Sequence, residues 1–139
     1  MTKLHKIEGI GTIFAERLAS MGIETMDDLL AAGRTREARI EIAAKVKITS
    51  RHIDKWVIQA DLARVNGIGS EYADLLRRAG IRSVSDLAKA DADQLLQLLR
   101  QSNRTYHNGV NRLPAISRIQ SWIEKSGELE PLLVPVEQA

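Results

Sequence analysis

The fold is decided by the stretch Ile7-Glu8-Gly9-Ile10-Gly11-Thr12-Ile13-Phe14-Ala15-Glu16-Arg17-Leu18, which returns 58 positions later, without a gap, as Val65-Asn66-Gly67-Ile68-Gly69-Ser70-Glu71-Tyr72-Ala73-Asp74-Leu75-Leu76. The agreement continues through Met21-Gly22-Ile23 against Ala79-Gly80-Ile81, and through Asp28-Leu29 against Asp86-Leu87. Self-similarity at a fixed offset indicates that a whole structural unit was copied. The chain is therefore an internal duplication.

Each copy places a Gly-Ile-Gly turn directly before a helical pattern. After the first turn, the apolar residues Phe14, Leu18 and Met21 recur at the three- and four-residue spacing of a buried helix stripe. Thr12 and Ser70 stand where a helix N-cap is expected. A Gly-x-Gly turn that enters a helix can present free backbone N–H groups to a phosphate. The predicted phosphate contacts are Gly9, Gly11, Thr12, Gly67, Gly69 and Ser70.

Helical signals dominate the rest of the chain and strand signals are nearly absent, so we predict an all-α fold. Gly22 and Gly80 are expected to end the first helix of each copy, and Thr25 and Ser83 to start the second. Further helices are expected over about 35–46 and 50–63, and from Pro114 onward. Each unit should hold about four to five short helices.

Two units and a tail follow from this pattern. The first unit is predicted over residues 1–63, the second over 64–127, and an extended tail over 128–139. Trp56 and Trp122 correspond at an offset of 66 rather than 58, so the second unit holds an insertion of eight residues. The inserted segment, about 100–113, is basic and rich in turn formers, and we interpret it as an exposed loop.

Composition excludes several classes of function. A chain of 139 residues with 44% hydrophobic content can form one compact domain or two small fused ones. The absence of cysteine removes disulfides, thiolate zinc sites and thiol nucleophiles. No apolar stretch is long enough for a signal peptide or a membrane span, so we expect a cytoplasmic protein. The three histidines lack metal-ligand spacing and no catalytic motif occurs, so we expect no enzymatic activity, no metal and no cofactor.

The motif apolar-x-Gly-Ile-Gly-x-x-x-Ala-x-x-Leu resembles the helix-hairpin-helix element of many DNA repair, recombination and polymerase-associated proteins. The segment Ala79-Gly80-Ile81-Arg82-Ser83-Val84-Ser85-Asp86-Leu87 is similar to small helical modules related to the C-terminal domain of the RNA polymerase alpha subunit. More closely, the runs 48–56, 60–76, 112–114 and 122–123 resemble a bacterial family of unknown function. The resemblance covers most of the chain. It implies two tandem helix-hairpin-helix, SAM-like units and brings no established activity with it.

In DNA-binding proteins that this element resembles, paired hairpins hold the phosphates of a duplex across the minor groove without reading sequence. Such proteins often carry Lys or Arg within three residues of the second glycine, where this chain has Thr12-Ile13-Phe14 and Ser70-Glu71-Tyr72. Glu71 would face an incoming phosphate, which makes the first hairpin the better candidate. In the alternative reading, the glycines only let two helices pack closely, with Ile10 and Ile68 in the core.

Basic residues cluster in two regions, one between Arg34 and Lys55 and one between Gln94 and Ile123, and the second region contains no acidic residue. Such clustering is typical of a surface for an acidic partner, although a solvated surface that pairs internally would look the same. The predicted phosphate contacts from these regions are Arg34, Arg36, Arg100, Arg104 and Arg112.

Two functions remain open. One is sequence-independent, non-enzymatic binding of double-stranded DNA, with no membrane or small-molecule substrate. The other is a protein-interaction module that binds no nucleic acid and uses the apolar tail 131–136.

Overall fold

The computed structural model describes residues 4, 7, 9–105 and 112–133, and this part of the chain contains eight α-helices and no β-strand. The predicted all-α fold is confirmed. Contacts divide the chain into two compact units, Met1–Asp61 with Leu132–Ala139, and Leu62–Pro131. The helices are α1 (Thr12–Ala19), α2 (Met26–Ala32), α3 (Arg36–Val46), α4 (Ser50–Leu62), α5 (Ser70–Arg78), α6 (Val84–Ala88), α7 (Ala92–Thr105) and α8 (Ile116–Gly127).

The second helix of each copy is capped by a side chain, as its sequence predicts. Thr25 Oγ1 accepts a hydrogen bond from the Asp28 N–H at 3.1 Å, and Asp28 Oδ2 accepts from the Thr25 and Glu24 N–H groups at 3.2 and 3.0 Å. Donation from Glu24 is the main reason that the pKa of Asp28 lies below its usual value. Ser83 Oγ caps α6 in the same way, accepting from the Asp86 N–H at 3.1 Å.

The first unit surrounds a buried tryptophan and a buried arginine. Trp56 is 1% exposed, and the α1 and α3 helices pack against each other. Arg39 is also 1% exposed; its Nε donates to the Gly33 carbonyl at 2.6 Å, and its Nη1 lies 3.7 Å from Asp54 Oδ1. Burial lowers the pKa of Arg39, and the Asp54 carboxylate opposes that shift. Arg39 therefore holds the first unit together and does not belong to its basic surface.

The second unit packs α6 against α8, and α7 against both α5 and α8. Its core contains Trp122, in the position that corresponds to Trp56. Asp74, buried at the edge of α5, accepts from Arg77 at 2.9 Å and pairs with Arg78 at 3.0 Å. One carboxylate thus pairs with two adjacent arginines of the same helix and offsets one of their two charges.

The structure changes the interpretation of the inserted segment. A loop was predicted from about residue 100, but α7 continues to Thr105 because Leu95 and Leu99 bury the face that holds the helix against the core. Arg100 and Arg104 therefore lie on a helix. The Asn108-Gly109 pair lies outside the described residues. The last helix begins at Ile116, two residues after the predicted Pro114. Within the described residues no helix is long and apolar enough to cross a membrane.

Candidate functional site

The two glycine turns, Gly9–Gly11 and Gly67–Gly69, share one backbone conformation. Gly9 and Gly67 have φ values of 96° and 99°, a left-handed conformation that favours glycine. The Ile10 N–H donates to the Ile7 carbonyl at 3.2 Å, and the Ile68 N–H donates to the Val65 carbonyl at 3.1 Å. A Cβ at Gly9 would lie 3.2 Å from Trp56 Nε1, and one at Gly67 would lie 3.3 Å from Trp122 Nε1. Each turn thus rests on the buried tryptophan of its own unit.

The second glycine of each turn is the N-cap of the following helix. Gly11 and Gly69 have extended backbones, with φ values of −90° and −85°, and neither α1 nor α5 has a side-chain cap. The prediction that Thr12 and Ser70 cap these helices was wrong, because the glycines occupy the cap position and the hydroxyl residues are the first helical residues. The helices α2, α3 and α6, in contrast, are capped by Thr25, Thr35 and Ser83.

The space beside Gly11 and Gly69, at the starts of α1 and α5, is open. The first N–H groups of any helix have no intrahelical acceptor, and a cap or another partner must satisfy them. No heavy atom lies within 4 Å of the positions that a Cβ at Gly11 or Gly69 would occupy. At the second turn, Gly67 and the residues from Gly69 to Tyr72 line a concavity of about 350 Å³. These helix starts are accessible to a ligand of the size of a phosphate.

A lysine stands beside each glycine turn. Lys55 Nζ lies 3.8 Å from the position of a Cβ at Gly9, and Lys125 Nζ lies 3.4 Å from the Asn66 carbonyl oxygen, to which it donates. The sequence contains no basic residue directly after the second glycine of either motif, so these cations come from α4 and α8 instead. No role was predicted for Lys125 from the sequence. Its place three residues after the repeated Trp122, on the same side of a helix, was the available signal.

In each unit an arginine side chain lies close to a pair of aromatic rings. The Phe14 and Trp56 ring centroids are 5.5 Å apart, and those of Tyr72 and Trp122 are 5.3 Å apart, at the same interplanar angle of 55°. The Arg118 guanidinium carbon lies 5.5 Å from the Tyr72 ring centroid, which places a cation near the start of α5. In the first unit, Arg17 lies 5.3 Å from the Phe14 centroid.

The arginines that were predicted to contact phosphate lie at separate positions in the structure. Arg34 donates to the Leu132 carbonyl at 2.9 Å, and Arg36 begins α3 with an exposed side chain. Arg100 and Arg104 line one concavity of the second unit. The Arg112 side chain is exposed, and its backbone carbonyl accepts a hydrogen bond from the Tyr72 hydroxyl at 3.0 Å.

Comparison with known proteins identifies a family. The model of the family described as Domain of unknown function (DUF4332) matches residues 8–129. The chain belongs to this family. It is also similar to the poly(3-hydroxyalkanoate) polymerase subunit PhaC of Haloarcula marismortui, at 36% identity over 66 residues, which are 48% of this chain and 11% of that protein. The chain thus matches only a small part of that relative. No solved structure matches it significantly.

The two turns of this DUF4332 member differ in their outward-facing residues. Ile13, in the first turn of α1, is 63% exposed, and the corresponding residue of α5 is the exposed acid Glu71. Across the described parts of the chain, no group of three or more His, Asp or Glu side chains could hold a metal ion. The groups available at both turns are backbone N–H donors and nearby cations, together with Ile13 at the first turn and Glu71 at the second.

Proposed function

We propose that this protein binds double-stranded DNA through its phosphates, without reading sequence and without catalysing a reaction. In this proposal each glycine turn and the helix that follows it belong to a helix-hairpin-helix element, and the two elements stand in tandem as SAM-like units of a bacterial type. The observation that carries the proposal is that α1 and α5 begin at glycines that have no side-chain cap and open space beside them. The helices α2, α3 and α6 have side-chain caps, and α8, which begins after Ala115, has none.

An uncapped helix start suits a phosphate for two reasons. Its free N–H groups donate hydrogen bonds, and the helix dipole places roughly half a positive charge there. Lys55 and Lys125 add full charges beside the turns, and Arg118 adds another near α5. Glu71 opposes an anion at the second turn, and these cations offset its charge. In this proposal DNA is also contacted by five exposed arginines: Arg34, Arg36, Arg100, Arg104 and Arg112. The protein acts in the cytoplasm.

A salt series tests the proposal. A short labelled duplex is titrated with the protein, and its fluorescence anisotropy gives the dissociation constant at several salt concentrations. Phosphate binding makes log K fall by about 0.9 per neutralised phosphate for each unit of log salt. A flat salt dependence, or no binding at low salt at micromolar protein, would contradict the proposal.

One observation favours a second function, a protein-interaction module that binds no nucleic acid. Ile13 exposes 63% of its surface in the first turn of α1, where a DNA backbone offers no apolar partner. Ile40 and Leu98 are also largely exposed. Of the apolar tail expected to help in docking, only residues 131–133 belong to the described part. The anisotropy titration separates the two functions, because this module would leave the duplex unbound at low salt.

A further inference from the structure

The second unit contains another concavity, whose lining differs from that of the concavity at the second glycine turn. Its walls contain Arg100, Asn103 and Arg104 from α7 and Leu113 from the segment before α8, and it measures about 410 Å³. Residues three and four apart share a helix face, so α7 directs both guanidinium groups and the amide to one side. None of these residues lines the concavity at the second glycine turn.

The two arginines of this concavity carry uncompensated charge. Neither Arg100 nor Arg104 forms an ion pair or a hydrogen bond with any residue that the structure describes. Like charges at this spacing destabilise a helix, and the sequence from Gln94 to Ile123 supplies no acid to relieve them. Elsewhere in the unit, Arg77 and Arg78 both pair with Asp74. The concavity thus presents two cations that are available to an anion from outside.

The other lining residues indicate a ligand that has further groups besides an anion. The Asn103 Oδ1 atom is buried and has no hydrogen-bond partner among the described residues, and such an acceptor is costly until a donor meets it. Leu113 adds an apolar surface. A volume of about 410 Å³ lies in the range of small-molecule sites and exceeds what a lone phosphate fills.

We propose that Arg100, Arg104, Asn103 and Leu113 bind a nucleotide-sized phosphate ester. The planar guanidinium groups match the oxygens of a phosphate, which two arginines hold with charge-assisted hydrogen bonds. A sugar hydroxyl or base N–H donates to Asn103, and the base contacts Leu113. The phosphate ester comes either from the end of a nucleic-acid strand or from a free nucleotide. This site does not depend on duplex binding by the glycine turns.

Three probes test the site by NMR of the arginine Nε–H groups: thymidine 5′-monophosphate, a thymidine decanucleotide with a 5′-phosphate, and the same strand with a 5′-hydroxyl. The Arg100 and Arg104 signals should shift at about tenfold lower concentration with a terminal phosphate than without one. Binding of the nucleotide assigns a free ligand, and binding of the phosphorylated strand alone assigns a strand end. Equal shifts with the 5′-hydroxyl strand, or no shift with any probe, would overturn the proposal.

Two variants distinguish a specific binding site from nonspecific electrostatic attraction. The double variant Arg100→Lys/Arg104→Lys keeps the net charge but loses both planar guanidinium groups. It should weaken binding of the phosphate probe about tenfold or more. Lys89→Ala removes an exposed charge at the end of α6 and should leave the affinity within about twofold. Equal loss in both variants, or no loss in the lysine pair, contradicts the site. A duplex without terminal phosphates tests the glycine turns separately.

Discussion

Replacing Gly11 and Gly69 by aspartate should weaken DNA binding about a hundredfold while leaving the fold intact. Both glycines have the extended backbone of an N-cap, with ψ values of −173° and −176°, and a Cβ at either position meets no atom within 4 Å. Aspartate is among the preferred N-cap residues, and exchange between it and glycine changes stability by only about a few tenths of a kcal/mol. Its carboxylate would accept hydrogen bonds from the same amides that the proposal gives to phosphate.

The loss of affinity follows from the donors that the carboxylate removes. A hydrogen bond to a charged group contributes about 1.5–3 kcal/mol, so each turn should cost at least about tenfold in affinity, and both turns together about a hundredfold. Duplex anisotropy measures the affinity and urea unfolding measures the stability. Lys89→Glu makes the same change in net charge at a distant, exposed position and should weaken binding far less. A folded double variant that binds the duplex like the natural protein would refute the role of the amides.

Three further outcomes follow from the contacts described above. Alanine at Lys55 or Lys125 should each lower the salt slope of duplex binding by about 0.9, measured in the same titration; unchanged slopes would remove the lysines from the site. Gly33→Ala should destabilise the first unit by about 1–3 kcal/mol in urea unfolding, because its Cβ would lie 2.8 Å from Val57 Cγ2. Since the folded-state pKa of Asp28 is lowered, its stabilising effect is complete above the unfolded-state value of about 4 and disappears as the pH falls through the folded-state pKa. Asp28→Asn should therefore lower the urea midpoint at neutral pH, and this difference should shrink in acid; a constant difference would contradict the cap.

The repeat predicts the backbone of the fold well, because local chemistry determines it. Glycines at Gly9 and Gly67 allow the left-handed turn, and Thr25 and Ser83 supply side-chain caps, so the starts and ends of these helices agree closely with the pattern. The helix start at Gly11 was misassigned by one residue because a hydroxyl residue follows the glycine. An extended glycine is also an acceptable N-cap, and here it takes that position.

The site depends on contacts between distant residues, and those are not visible in local patterns. Arg39 belongs to a basic run in the sequence, yet it is buried against the Gly33 carbonyl and Asp54. The two lysines reach the glycine turns from helices about 46 to 59 positions away in sequence. Arg100 and Arg104 were expected in a loop, because the turn formers that follow them outweighed the apolar periodicity of Leu95 and Leu99.

In the proposed function, the backbone amides at the starts of α1 and α5 hold the phosphates of duplex DNA. An amide NMR titration with an unphosphorylated blunt duplex tests this claim residue by residue. The largest shifts should fall on the N–H groups of Thr12, Ile13, Ser70 and Glu71, and added salt should reverse them. Saturating duplex that leaves these four amides unshifted would contradict it.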